Sequence, residues 1–483
     1  MPLDRYLPLV ACCLAVGCGQ QLAGGPPDDE DGDVGKDDTA EDAGGVDPIV
    51  IIGGGVAGLA AAGALGEGVL VEADTVLGGR ALWSGGLMHF VGIPDQEAIG
   101  VVDSPALAAA DWEALTGWPA ADGTLRYLED SAATHERLLE LGLSYGLLAN
   151  EPRTDVQRLL TVTGEGPALV EALAAKVTAA VEVRLETLVE GLVWRDGAVV
   201  GVRTADGEIP ARAVVIASGG YAGELARLAE LAEGEFWEAS KHGGAGHALA
   251  WAEADDLGVK NLPNIGWLHR HIGVPMGDGK LIGFTYDIAA PWIWVDENGL
   301  RFLDETDIES VTLTGPLRAA GDVWAIGPRD AVLAALDEVV RPTAEQAIAV
   351  DSTMRCRADA SALAELLVLD PEALSQTLGE VAGVESGSLD DPLGRPAESF
   401  VPFTGDLCAW RPGDTASKTY GGLMVDEDGR VLNTAGGVVP GLWAVGEAAG
   451  MGAPGLAGRY GFDGTLSAVV WSGWRVGDRL ASE

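Results

Sequence analysis

Three glycines and one acid carry the clearest chemical signal in this chain. Gly53, Gly55 and Gly58 stand in a Gly-x-Gly-x-x-Gly spacing directly after the apolar run Ile49-Val50-Ile51-Ile52. That order predicts a buried strand, a tight turn and a helix whose first-turn amides, from Val56 and Ala57 onward, point at whatever lies over the turn. Glycine there lets the backbone approach closely, and the helix dipole favours negative charge, so the ligand this spacing suits is a pyrophosphate. A short helix over 59–65 leads to a second strand, Val69-Leu70-Val71, ending at Glu72-Ala73. An acid at that strand end is placed to accept hydrogen bonds from the ribose of an adenosine half. Glu72 follows Gly53 by nineteen positions, so the helix must be about a turn shorter than usual. Far along the chain, Gly441-Leu442-Trp443-Ala444-Val445-Gly446-Glu447 is another short apolar strand ending in glycine and acid. One glycine turn alone is a weak signal. The two segments together, with further glycine pairs between them, point to a dinucleotide-binding flavoprotein.

A second group of residues suits proton transfer. His269 and His271 alternate in Trp267-Leu268-His269-Arg270-His271, so a strand would turn both to one face. A surface or packing role stays open for this pair. No Cys/His cluster has metal-ligand spacing, and no metal is expected.

The elements that must position these groups read as α/β. From Val181 to Ala217 the pattern is a β-meander, with Val189 to Trp194 and Val199 to Thr204 joined at Asp196-Gly197 and a further turn at Asp206-Gly207. It closes on Ala213-Val214-Val215-Ile216-Ala217-Ser218-Gly219-Gly220. The chain ends in Gly464-Thr465-Leu466 and an apolar helix to Leu480.

At 483 residues, 47% hydrophobic and 22% charged, the chain suits two or three globular domains. Its net charge of −44 argues against nucleic acid or anionic membrane surfaces as partners and is read as a strongly solvated surface. Residues 1–18 run from Arg5 through an apolar stretch to Gly17-Cys18, which fits a lipoprotein-type signal peptide. Simple secretion or a cytoplasmic protein with an apolar start stays open. Residues 19–46 are acidic and polar and read as a disordered tether. The expected location is therefore the cell envelope, with the membrane touched only through a lipid anchor. No twin-arginine pair supports folded export, so either the flavin cofactor is acquired after translocation or the protein is not exported. Cys356 and Cys408 remain in the mature chain, either as one disulfide or as two buried thiols.

After the acid comes Leu77-Gly78-Gly79-Arg80-Ala81-Leu82-Trp83-Ser84-Gly85-Gly86, and here the chain resembles a known family. The glycine pairs resemble those of the FAD-dependent oxidoreductases that include the flavoprotein subunits of fumarate reductase and succinate dehydrogenase, the 3-ketosteroid Δ1-dehydrogenases and the urocanate reductases. The likeness continues through the Val214–Gly220 strand, the helix start at Gly243-Gly244-Ala245-Gly246-His247, the Arg301-Phe302-Leu303-Asp304-Glu305 element and Thr419-Tyr420-Gly421-Gly422. It implies a Rossmann-like FAD-binding domain, a parallel sheet plus β-meander, with an inserted α+β capping domain. The implied boundaries are 47–260 and 411–483 for the FAD-binding domain and 261–410 for the cap. The implied cofactor is noncovalent FAD, since nothing at His89 matches a covalent attachment. The residues implied to hold it are Gly53, Gly55, Val56, Ala57, Gly58, Glu72, Ala73, Gly79, Arg80, Ala81, Ser84, Gly85, Gly86, Val189, Ala217, Ser218, Gly219, Gly446, Glu447, Gly464, Thr465 and Leu466.

The resemblance also implies a reaction. Such enzymes move a hydride between flavin N5 and a carbon alpha or beta to a carbonyl or carboxylate, by enoate or enone reduction or the reverse dehydrogenation. The implied partners are a small molecule with an activated C–C bond and an unknown electron donor or acceptor. Arg459 matches the family arginine that grips a substrate carboxylate, while Tyr460, followed by Gly461 and Gly464, resembles the tyrosine element of the ketosteroid branch. His269 and His271 fall where fumarate reductases carry a substrate-binding His-Pro-Thr, here without Pro-Thr. Lys418, next to Tyr420, replaces a second family histidine. Thr306-Asp307-Ile308-Glu309-Ser310 lacks the arginine acid of those enzymes, which argues against fumarate or succinate chemistry. A different class also stays open: a lipid-anchored flavin-binding electron relay without a substrate of its own.

Overall fold

The computed structural model describes residues 46–116, 120, 122–146, 149–150, 154–231, 236–238, 244–272, 274–275, 281–282, 291–306, 322–336, 341–450 and 464–483. Strand β1 (Ile49–Ile52) runs into helix α1 (Val56–Leu65) and back into β2 (Gly68–Val71). Next in the frame that holds the site come β3 (Leu87–His89), β4 (Val181–Arg184), β5 (Ala213–Ile216), β6 (Val259–Lys260), β7 (Gly422–Leu423), β8 (Arg430–Leu432), β9 (Val438–Ala444) and helix α2 (Leu466–Ala481).

The central sheet has the order β8-β9-β5-β1-β2-β4, parallel except for β8. Its inner strands are apolar throughout because both faces are covered. Their alternation sorts the core in two. Ile49, Ile51, Leu70, Ala213 and Val215 pack with α1 and α2 on one face. Val50, Ile52, Val69, Val71, Val214 and Ile216 pack with Leu192, Val202 and Trp251 on the other.

Helices α1 and α2 touch backbone to backbone. A Cβ on Gly473 would sit 2.2 Å from the Ala57 carbonyl oxygen, and one on Gly477 would sit 2.5 Å from that of Ala61. Small residues here bring the final helix directly under the β1–α1 turn.

The meander is shorter than the sequence pattern predicts. Only Val189–Arg195, Ala198–Thr204 and Gly207–Pro210 form it, and the Asp196-Gly197 hairpin turn takes left-handed φ at both residues, 51° and 79°. Val181–Arg184 instead extends the central sheet beside β2, and Ala213–Ile216 inserts between β1 and β9. The first was misread because Val-Glu-Val-Arg alternates as a hairpin strand does. It is an edge strand, so its alternation reports one open flank.

Between 292 and 410 lies an antiparallel sheet of Ile293–Val295, Trp324–Pro328, Leu407–Trp410 and Met354–Arg357. Trp292, Trp294, Met354 and Trp410 fill one face, while Ile293, Ile326, Ala409 and two helices fill the other. Those helices, Ala360–Leu367 and Pro371–Glu385, are N-capped by the carboxylates of Asp359 and Asp370. Cys356 and Cys408 stand directly opposite in this sheet and form a disulfide, which decides between the two readings the sequence left open. Its closed loop spans 52 positions, so reduction is expected to cost about 2–4 kcal/mol. Thermal unfolding with and without reductant checks this: an unchanged midpoint would show that the bond restrains nothing.

The Arg301-Phe302-Leu303-Asp304-Glu305 element is a structural clamp. Glu305 accepts from Trp294 N (3.1 Å), Arg301 Nε and Nη2 (3.0 and 2.7 Å) and Arg395 Nη1 (3.2 Å). Arg301 Nη1 also donates to Asp391 at 2.7 Å. All four charged side chains are buried or nearly so. Burial lowers the Arg395 pKa, with Glu305 opposing that shift.

Candidate active site

The residues expected to bind a dinucleotide lie at the carboxyl ends of four neighbouring parallel strands: Gly53 after β1, Glu72 after β2, Ala217 after β5 and Gly446 after β9. The chain order reverses between β1 and β5, the switch point where α/β sheets open a crevice.

Steric crowding dictates the first turn. Gly53 has φ 103°, and a Cβ on it would lie 2.5 Å from the Ala217 carbonyl oxygen; one on Gly58 would lie 1.9 Å from that of Gly53. Gly55 is the opposite case. Nothing lies within 4 Å of its Cβ position, and no side chain caps α1 there. The first-turn amides of Val56, Ala57 and Gly58 therefore carry no side-chain cap beneath open space, the arrangement an anion needs. The second glycine loop meets the first: Gly78 N donates to Gly54 O at 2.8 Å, and Gly79, with φ 53°, packs on Gly55.

Glu72 is held by the turn it was expected to serve. Its Oε2 accepts from Gly54 N at 2.6 Å and its Oε1 from Asp74 N at 2.8 Å. Each carboxylate oxygen can accept a second bond, so Glu72 can brace the loop and still take a ribose hydroxyl. Ala73 beside it is exposed. Arg80 Nη2 donates to Ala416 O at 3.2 Å, Ala81 is buried, and Ser84 Oγ accepts from Gly86 N at 3.2 Å. Gly85 is open, whereas Gly86, with φ 69°, is pressed against Glu165. Val189 is a buried core residue at the head of the meander. Ala217 N donates to Ile52 O at 2.8 Å, and Gly219 takes φ 77°. Ser218 Oγ is buried with no hydrogen-bond partner among the described residues.

At the β9 end, Gly446 N donates to Ser472 Oγ at 2.9 Å, which ties this strand to α2. Glu447 Oε1 accepts from Thr419 N at 2.6 Å and Thr419 Oγ1 at 3.0 Å. A Cβ on Gly220 would strike both Thr419 Oγ1 and Glu447 Oε1, so glycine makes room for that pair. The start of α2 is fixed against β3. Gly464 has φ 72°, its carbonyl accepts from His89 N at 3.0 Å, and Thr465 bridges Met88. Ser467 Oγ donates to His89 O and shares a hydrogen bond with Tyr127 OH; Leu466 opens the helix. Burial chiefly, with help from Arg158, depresses the His89 pKa to about 3, so the imidazole is neutral at neutral pH.

The substrate-side expectations divide. Tyr420 is buried against Trp471 and Tyr127, its N donates to Asn264 O at 2.8 Å, and Lys418 Nζ lies 5.5 Å from its ring centroid. Thr419 between them carries both to Glu447. His269 and His271 fall on the strand Ile265–Ile272, which pairs antiparallel with Pro412–Thr419; their side chains lie outside the described residues. The ladder has register shifts at Gly266/Trp267 and Leu268/His271. Arg459 and Tyr460 lie outside the described residues. Sequence reasoning missed Thr419, Gly220 and Ser472, whose partners lie far along the chain. The doubled glycine at 219–220 was the one available hint.

The group implied here is FAD, and the residues fit it: an uncapped helix start beneath open space, a buried serine hydroxyl in need of a partner, and an acid at each flank. The model of a family described as FAD binding domain matches residues 48–459. Relatives include a KsdD-like steroid dehydrogenase of Mycolicibacterium smegmatis, 27% identical over 86% of this chain and 95% of its own. A fumarate reductase (cytochrome) of Shewanella frigidimarina is 25% identical over 90% of this chain and 76% of its own. The fold is shared with 3-ketosteroid Δ1-dehydrogenase from Sterolibacterium denitrificans, solved with 1,4-androstadiene-3,17-dione (TM-score 0.73, 17% identity, 90% and 99% of the two chains). It is also shared with the open conformation of a flavocytochrome c3 fumarate reductase (TM-score 0.69, 21% identity, 91% and 78%). The chain therefore belongs to the FAD-binding domain family and is an FAD-dependent oxidoreductase of the fumarate reductase and ketosteroid dehydrogenase type.

Proposed function

We propose that this enzyme reduces an activated C=C bond of an enone or enoate, or dehydrogenates the corresponding saturated compound. When bound, FAD supplies the two-electron chemistry, giving or taking the hydride at N5. The observation that carries the reading is the Glu447–Thr419 pair, which joins the FAD-binding strand ends to the Lys418–Tyr420 segment. Fumarate is an enoate and 1,4-androstadiene-3,17-dione an enone, so one reaction class covers the chemistry named for both groups of relatives. Fumarate itself is not the proposed substrate, because no arginine follows Glu305 within Thr306–Ser310.

Each residue has a distinct task in this proposal. The amides at the start of α1 and the Ser218 hydroxyl bind and orient the cofactor. The start of α2, at Gly464, Thr465 and Leu466, directs its dipole and free amides at negative charge developing in the site. Arg459 or Tyr460 polarises the substrate carbonyl or carboxylate. Lys418 and Tyr420 line the substrate side, with the lysine ammonium set beside the tyrosine ring.

Arg459→Ala or Tyr460→Phe is expected to keep FAD bound while lowering substrate-dependent flavin turnover about 100–1,000-fold, the usual size of losing one preorganised donor. Anaerobic flavin reoxidation by a panel of enones and enoates reads this out. Unchanged turnover in both variants would remove the assignment of these residues.

A further inference from the structure

Lys260 is buried the wrong way round. Lysines ordinarily lay their stems on apolar surface and put the ammonium in water. Here the residue keeps some exposure, yet its Nζ is sealed from solvent and has no hydrogen-bond partner among the described residues. Burial depresses its pKa from 10.5 to about 8, with no charge among the described residues contributing. The folded protein thus holds this proton less tightly than the unfolded chain. The ammonium costs stability below about pH 8, and the cost fades as pH rises toward 10.5. A buried cation with no anion beside it among the described residues suits one from outside the chain.

Its place in the fold narrows what that anion is. Lys260 pairs with Gly422 in the β6–β7 ladder, and Gly422 in turn bridges Ala449. A Cβ on Gly450 would lie 2.7 Å from the Tyr420 carbonyl oxygen and 3.5 Å from Lys260 Cε. Gly450 N donates to Glu447 O at 3.0 Å. The lysine stem therefore occupies space left by a glycine, in the same wall as Tyr420 and the Glu447 turn.

We propose that Lys260 is a further anion-binding residue of this site, its ammonium taking an oxyanion at the junction of cofactor and substrate. The proposal rests on the reading of the site given above. The oxyanion is either the carboxylate of an unsaturated acid or the pyrimidine oxygen of the reduced cofactor, and the two sources respond to different additions.

The test follows the Lys260 titration by NMR in the intact chain labelled at lysine, which has six lysines, so the signals are few. Lys260→Arg, which keeps the charge, identifies the signal by its loss. In the apoprotein Lys260 should titrate near 8. In the FAD-loaded protein an opposing oxyanion should raise that value by about 1–3 units. A rise on anaerobic reduction with dithionite assigns the oxyanion to the cofactor. A rise in the oxidised protein only when crotonate is added assigns it to a carboxylate ligand. With FAD visibly bound, a value that stays near 8 in all three states overturns the proposal and leaves the FAD site standing. A chain that takes up no FAD overturns the site reading and this proposal together.

Discussion

Gly55→Ala should fold as stably as the parent yet bind FAD at least tenfold more weakly, while Gly58→Val should lose both stability and FAD. The contrast comes from what each added atom meets. Gly55 has φ −68° and ψ 177°, which alanine adopts without strain, and its Cβ position is open. A methyl there disturbs no protein atom and enters only the space above the α1 amides. At Gly58 the new carbon would lie 1.9 Å from the Gly53 carbonyl oxygen, a backbone atom that cannot turn aside. Relief requires α1 to move off β1, and overpacking of this kind costs about 1–3 kcal/mol. The valine variant also forfeits ligand stabilisation, about 4 kcal/mol at a thousandfold excess over Kd. Flavin-to-protein absorbance ratios and apoprotein unfolding curves separate the two effects. If Gly55→Ala bound FAD like the parent, the pyrophosphate would not lie over this turn.

Replacing Glu305 by leucine should be the most damaging single change between 292 and 410. The substitution removes the acid that the side chains of both Arg301 and Arg395 meet and takes the Glu305 acceptor from Trp294 N. Breaking a buried ion pair from one side costs about 3–5 kcal/mol, because the remaining charge loses that partner where water cannot replace it. Asp391 still holds Arg301, so the loss should fall mainly on Arg395, which also donates to Trp292 O at 2.8 Å. The urea midpoint measures it, with Arg126→Ala as an exposed control expected to change stability by less than about 1 kcal/mol. A Glu305→Leu loss no larger than the control's would mean that the clamp adds no stability.

The parts of this fold legible in the sequence were those whose physics is local. Parallel strands buried on both faces read as unbroken apolar runs, so Ile49–Ile52 and Ala213–Ile216 stood out. Of the glycines, Gly58 is explained by crowding within one turn, whereas Gly53 makes room for the Ala217 carbonyl at the end of another strand and Gly55 faces open space. Glu72 was placed correctly at its strand end, but its grip on Gly54 depends on a turn eighteen residues away. The same limit applies to Thr419 with Glu447 and to Ser472 with Gly446, pairs separated by 28 and 26 positions. Val181–Arg184 was misplaced because an edge strand alternates like a hairpin strand. Lys260 gave no signal, since its strand is two residues long and its burial comes from Gly422 and Gly450, far along the chain.

The most direct measurement is an anaerobic one on the purified protein. Its visible spectrum is recorded, the flavin is reduced with dithionite, and enones and enoates are added one at a time. The account predicts an oxidised-flavin band that bleaches on reduction and returns with one of these compounds, as its C=C bond is reduced. A flavin that reoxidises with none of them and answers only to electron-transfer proteins would contradict it, and would favour an electron relay instead.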